Sequence, residues 1–407
     1  MNNILTYVPK LSEHLKVYPF GKHEYMIHQT EYDRRMKVSE LVKDLLGEVD
    51  GERDIQTIRT SLESNYGLEK TPEELYELFH NQLGKIGVTI SDHEVSRSNP
   101  FDYMSIRFTL FKPATIRKVS HIFAPCFEPK FFFTSSILML GFSLLLVFFY
   151  FDKEAIYDSI SIKALVVTQV ISILSLFFHE LGHATACRKF GAEHGEIGFG
   201  FYMLSPMLYA DVSDAWKLSV LKRTIINLGG FYMQIIMCTF LGILFLLTLD
   251  YFYLLPIYLI ILIILVNLNP LFRYDGYWIL SDLINVPNLR RKSFRKLGET
   301  LRYFYKPEAK LTLKSRLDFF LLAYGALCFG FLLFFLGAFV LYNPQSVLYF
   351  PIHVIDFFKS LFIVEALSFS WLKSELVKLG PALIFYFIIF KLFFKRGLIA
   401  LKELIKI

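Results

Sequence analysis

The sequence predicts a mainly α-helical, polytopic membrane protein with about six transmembrane helices, preceded by a small α+β, winged-helix-like N-terminal domain. Two observations carry this. Of 407 residues 54% are hydrophobic and 43 are phenylalanine, with a mean hydropathy of +0.44, which is more apolar surface than a soluble domain of this size can bury. After residue 131 the apolar residues gather into runs of about 20, the length a helix needs to cross a hydrocarbon core of roughly 30 Å. The first 131 residues contain no such run. The opening MNNILTYVPKLSEHLK lacks a basic region followed by an apolar one, so no cleaved signal is expected and the front of the chain is expected to stay in the cytoplasm.

Within residues 1–92, HEYMIHQ and EYDRRMKVS read as a hairpin, followed by helices near 38–47, 53–66 and 72–86 and a short strand, VTI. Thr71-Pro72-Glu73-Glu74 is a helix start, with an N-cap, Pro at the first helical position and Glu three residues after the cap. Gly87 is the matching stop. A winged-helix arrangement raises DNA binding, but residues 40–80 hold eleven Asp/Glu against four Lys/Arg, and acidic helices repel phosphate. Nucleic acid is therefore excluded as a partner. Residues 93–131 mix basic and aromatic side chains. They read either as a membrane-surface segment held by snorkelling Arg and Lys or as a linker strand packed on the cytoplasmic loops.

Residues 132–407 form the membrane domain, with spans expected at 132–151, 163–186, 224–248, 254–271, 318–342 and 380–395. The loop at 187–223 is not spanning. Its stretch HGEIGFGFYMLSPMLYADV has Gly and Pro breaks and alternating aromatic residues, which suggests a short sheet or re-entrant element lining a cavity. Asp211 and Asp214 in that loop read as turn or helix N-cap residues. The net charge of +6 lies in loops flanking the spans, the mark of membrane orientation. Residues 273–316 hold eleven Lys/Arg against four Asp/Glu, so this loop and the basic tail after Lys391 are expected to face the cytoplasm. The acidic loop at 152–162 is expected outside. Segment 344–372 is apolar but interrupted by Pro344, Pro351, Asp356, Lys359 and Glu365, and is read as interfacial or re-entrant on the outer side. The four cysteines are far apart and suggest no disulfide framework.

The chemistry lies at the end of the second run, LVVTQVISILSLFFHELGHATAC, which contains His179, Glu180 and His183 in an HExxH pattern. A helix puts residues four apart on one face, so both imidazoles can bind one metal while Glu180 reaches a water on it, the arrangement of metal-assisted hydrolysis. Three ionisable residues within five positions of a membrane helix point to function rather than packing. A catalytic zinc needs a third protein ligand. The extended HExxHxxGxxH pattern fails, since Ala186 and Lys189 stand where Gly and His would be needed. Downstream, Asn267-Leu268-Asn269-Pro270 breaks the 254–271 span and Asp275 follows, and the charge-based topology returns Asp275 to the depth of the histidines. Asn267 suits either a hydrogen bond to an extended substrate or an oxyanion, or satisfaction of the backbone opened by Pro270.

HExxH on one span and NxxP(x)4DG on a later one resemble the site-2 protease family of intramembrane metalloproteases. The resemblance covers about 163–285 and implies Zn2+ held by His179, His183 and Asp275, with Glu180 as catalytic base; Asn267, Pro270 and Gly276 also match. It departs at Phe231, where relatives often have Gly-Pro, and at Gln234, near their usual Asn. LYADVSDAWKL and NPLFRYDGYWILSDLINVPNLRRKS are similar to a narrower group, the peptide zinc metalloproteases of bacterial peptide-modification and bacteriocin clusters. LLGEVDGERDIQTIRTSLESNYG and LFHNQLGKIGVTI resemble PqqD-like domains, which add the leader of a ribosomally made peptide to their hairpin as an extra strand; a plain docking or dimerisation domain is the alternative. Together the resemblances imply a zinc metalloendopeptidase of the bacterial cell membrane. Its substrate would be a modified peptide precursor, cut for leader removal or maturation before export, with a peptide-modifying enzyme and an ABC exporter as further partners. The alternatives are regulated proteolysis of a membrane-anchored regulator and a non-catalytic export or immunity component.

Overall fold

The computed structural model describes residues 2–21, 23–97, 104, 106–202, 205–306, 313–342 and 344–363, and single turns between 374 and 390. After a single helical turn at Asn2–Leu5 the front domain forms strands β1 (Leu15–Gly21), β2 (Glu24–Gln29) and β3 (Arg34–Ser39) in one antiparallel sheet of order β1-β2-β3. The expected hairpin is β2 and β3. Strand β1 adds to it, an element the sequence reading passed over because Pro19 interrupts its alternation; on the sheet edge a proline costs no ladder bond.

Helices α1 (Glu40–Gly47) and α2 (Ile55–Tyr66) are capped by the side chains of Ser39 and Asp54. Helix α3 (Pro72–Tyr76) starts in the capping box of Thr71 and Glu74. It continues as a π-helix, Glu77–Leu83, and a last turn closed by Gly87 at φ 76°. Their apolar faces meet the sheet in a core around Ile27, Ile55, Ile58, Leu62 and Phe79. The expected VTI strand is reduced to one bridge between Leu11 and Thr89.

The linker supplies a strand and a helix. Strand β4 (Arg107–Phe111) pairs with a hairpin of β5 (Ile197–Tyr202) and β6 (Ser205–Ala210) in the order β4-β5-β6, so the sheet expected in 187–223 recruits a strand from before the first span. The amphipathic helix α4 (Pro113–Phe123) follows and buries Ile116 against Ala184 and Ile197.

Among the described residues four helices are long and apolar enough to cross a membrane: α5 (Pro129–Phe149), α6 (Ile162–Lys189), α7 (Val220–Thr248) and the Arg316–Ala338 stretch of a later helix. On α5, Ile137, Leu138, Phe148 and Phe149 are each at least 67% exposed, a surface suited to hydrocarbon and not to water. The chain is a membrane protein. The expected 254–271 span is shorter, because α8 (Leu254–Asn267) stops at the Asn-Pro break. Segment 344–372 begins as two helices, Pro344–Leu348 and Phe350–Ile363, and its remainder, like most of 380–395 and the tail, lies outside the described residues.

Helices α6 and α7 cross at two glycines. A Cβ on Gly182 would lie 2.2 Å from the Gly229 carbonyl oxygen, so any larger residue there drives the helices apart. Helix α9 (Asp275–Leu283) then packs on α7.

Candidate metal centre

On α6, His179 and His183 lie one above the other and are 2% and 5% exposed. Each ring is anchored through Nδ1, 3.0 Å from Gln234 Oε1 for His179 and 2.8 Å from the Ile226 carbonyl for His183. With Nδ1 donating, both Nε2 atoms keep free lone pairs, the tautomer a metal needs. They stand 3.0 Å apart. Asp275 Oδ2 comes within 2.7 Å of His179 Nε2 and 3.5 Å of His183 Nε2. Donors about 2.0–2.1 Å from a tetrahedral zinc stand about 3.3 Å from one another, so the three converge as a ligand set would. Among the described residues the three ligands named from sequence are brought together.

The surroundings explain the second motif. Asp275 opens α9, and Gly276 lies so close to Leu268 that a Cβ would come 2.1 Å from its carbonyl oxygen. The turn is held by Asn269 Oδ1, which accepts from the Leu271 N–H at 2.9 Å, and by Tyr324, whose hydroxyl donates to the Pro270 carbonyl at 2.6 Å. Turn support thus falls to Asn269 and Tyr324, while Asn267 lines the cavity beside the ligands. Gly230 leaves room for the His179 ring, which a Cβ would meet at 2.5 Å.

Glu180 is buried beside the histidines and shares the cavity lining with Ala210 at the end of β6. It faces a cavity of about 360 Å³ walled by β6, Asn267 and the face of α9 that carries Asp275, Trp278 and Asp282. Outside the spans, hydrogen bonds from the hydroxyls of Thr109 and Tyr209 hold the Glu196 carboxyl below its ordinary value and fasten β4 and β6 to β5. Asp214 accepts from the Glu193 N–H at 2.7 Å and pairs with Lys217 at 2.6 Å, while Asp211 accepts from the Ser213 N–H, so both serve the loop.

Sequence reasoning missed one part of this wall. Arg223 donates to Asp282 at 2.8 Å, and Asn227 donates to the other Asp282 oxygen at 2.7 Å, which ties α7 to the helix that carries Asp275. The guanidinium lies over the rings of Phe20 and Trp216, 4.5 and 5.2 Å from their centroids. Phe20 belongs to β1, so the front domain touches the cavity wall. A second contact joins Glu24 to Asn285 at 3.1 Å. A buried arginine at the start of an apolar helix was the available signal.

No family model and no solved structure matches the chain. A stretch of 199 residues, 47% of the chain, is 25% identical to 72% of a Bacillus subtilis (strain 168) protein provisionally named peptide zinc metalloprotease protein YydH. The likeness supports a zinc metalloprotease. Two imidazoles and a carboxylate are also a donor set that suits zinc.

Proposed function

We propose that the chain is an intramembrane zinc endopeptidase with a core like that of the site-2 proteases. It cuts a ribosomally made, modified peptide that its PqqD-like front domain captures in the cytoplasm. The observation that carries this is the convergence of His179, His183 and Asp275 on one point, with Glu180 on the same cavity. Zinc, when bound, supplies a Lewis acid for the scissile carbonyl and the attacking water.

The residues of the chain do the rest. Glu180 takes the proton of the attacking water and returns it to the leaving amine. Strand β6 is the edge of its sheet and lines the cavity, so an extended peptide can add to it as a further strand. Asn267 donates to that peptide from the opposite wall. The stacking of Phe20 on Trp216, 6.3 Å between centroids, links the front domain to the cavity rim and favours delivery of a captured peptide. In this reading the front domain and the basic 273–316 loop face the cytoplasm, beside a peptide-modifying enzyme and upstream of an ABC exporter.

The test is co-expression of the full chain with a small peptide encoded beside it, followed by mass spectrometry of wild type and Glu180→Gln. A shorter peptide in the wild type alone is the expected result; identical masses in both overturn the protease reading.

A further inference from the structure

A second group of two histidines and a carboxylate lies in the front domain. His80 sits in the π-helical Glu77–Leu83 turn, and Asp92 and His93 follow the VTI segment. One donor atom from each lies within 4.8 Å of the others. Asn81 organises them. Its amide nitrogen donates to Glu77, which turns its Oδ1 toward the rings, 3.3 Å from His80 Nδ1 and 3.2 Å from His93 Nε2.

With Nδ1–H of His80 given to Asn81, its Nε2 lone pair faces Asp92 Oδ1 at 3.0 Å. A lone pair and a carboxylate at that distance repel unless a cation lies between them, and that cation is a proton or a metal ion. His93 donates through Nε2, which leaves its Nδ1 unprotonated, and its ring meets His80 edge-on at 5.1 Å between centroids. The ring of Tyr76 stacks on His80 at 4.8 Å and holds it in place. Among the described residues the buried Tyr7 hydroxyl, whose ring meets His80 edge-on at 5.6 Å, has no hydrogen-bond partner. The π-turn itself is a local departure of the kind that recurs at functional sites.

We propose that His80, Asp92 and His93 bind a second divalent metal ion, zinc or a similar late first-row ion, which clips the segment after Gly87 onto the end of the helical bundle. Two imidazoles and one carboxylate are the donors such ions prefer over calcium or magnesium. Asp92 is 83% exposed, so this site exchanges its metal more readily than the buried one.

The test uses the full chain in detergent, stripped by chelator and reloaded with Zn2+, with metal per chain counted by elemental mass spectrometry. Two equivalents are expected in the wild type. One is expected in His80→Ala/His93→Ala and one in His179→Ala/His183→Ala, so failure of either site is read separately from the other. In the His179→Ala/His183→Ala chain, added Zn2+ should raise the melting temperature, and Asp92→Asn, at an exposed position, should remove most of that rise. The proposal is overturned if the second equivalent is absent from the wild type, if it survives His80→Ala/His93→Ala, or if Zn2+ leaves that melting temperature unchanged.

Discussion

The candidate metal centre of His179, His183 and Asp275 and the histidine cluster in the front domain share one local design. In each, an amide oxygen, from Gln234 or Asn81, lies against Nδ1 of a histidine, and Nε2 of that histidine faces a carboxylate, at 2.7 Å in one and 3.0 Å in the other. The differences lie around them. His179 and His183 are buried on a single helix, with Glu180 and a cavity alongside, whereas His80 and His93 come from separate segments, with an exposed Asp92 and the Glu77 carboxylate engaged by Asn81. A ligand set alone makes a place for an ion. A neighbouring base and room for a peptide are what turn such a place into a hydrolytic site.

The largest expected effect breaks the comparison at the ligands. Asp275→Ala removes a third of the buried donor set and should abolish both zinc at that site and cleavage of the peptide, as read by metal content and mass spectrometry. Unchanged zinc would remove Asp275 from the centre. Glu180→Gln should separate binding from chemistry, because the converging group of His179, His183 and Asp275 does not include Glu180. Zinc content is expected to stay at the wild-type level while cleavage falls by roughly 10²–10⁴-fold, the size of a general-base contribution. Loss of zinc in this variant would mean that Glu180 holds the metal instead.

Much of the buried centre was legible because its signals are local. Two histidines four apart on one apolar run, and an Asn-Pro break followed by Asp-Gly, each stand within ten residues. The β2–β3 hairpin and the three front helices were legible for the same reason, from alternation and caps. The Arg223–Asp282 pair was not, since 59 residues separate its partners and only the packing of α7 on α9 joins them. Phe20 over Trp216 is longer-range still. His80, Asp92 and His93 follow no ligand spacing that a sequence reader would recognise, and Pro19 hid β1.

The Arg223–Asp282 pair sets the next effect. Asp282→Ala leaves a buried guanidinium without its carboxylate, which costs about 3–5 kcal/mol when one partner of a buried pair is lost. Both residues stand on the cavity wall, so the membrane domain should unfold at a lower denaturant concentration and cleave poorly. Wild-type stability of this variant would mean that the pair contributes little to holding α9. Smaller effects come from the amides. Gln234→Ala and Asn81→Ala each leave all ligands in place and remove only a supporting oxygen, a change that typically costs 10–100-fold in metal affinity. Each should weaken its own site and spare the other, which chelator competition followed by metal counting resolves.

The smallest expected effect concerns the sheet of β4, β5 and β6. Glu196 accepts from the hydroxyls of Thr109 and Tyr209, and these bonds hold its carboxyl below its ordinary value in the folded chain. A group lowered in this way contributes its stability above the unfolded value of about 4.3 and loses it as the pH falls through the lower, folded value. Acid should therefore loosen β4 and β6 from β5, and with β6 goes one wall of the cavity. Glu196→Gln cannot titrate. Between neutral pH and the acid limb its melting temperature should fall less steeply than that of the wild type, by a small margin because Glu196 is partly solvated. Parallel curves for the two proteins would show that these hydroxyl bonds do not hold the sheet against the cavity.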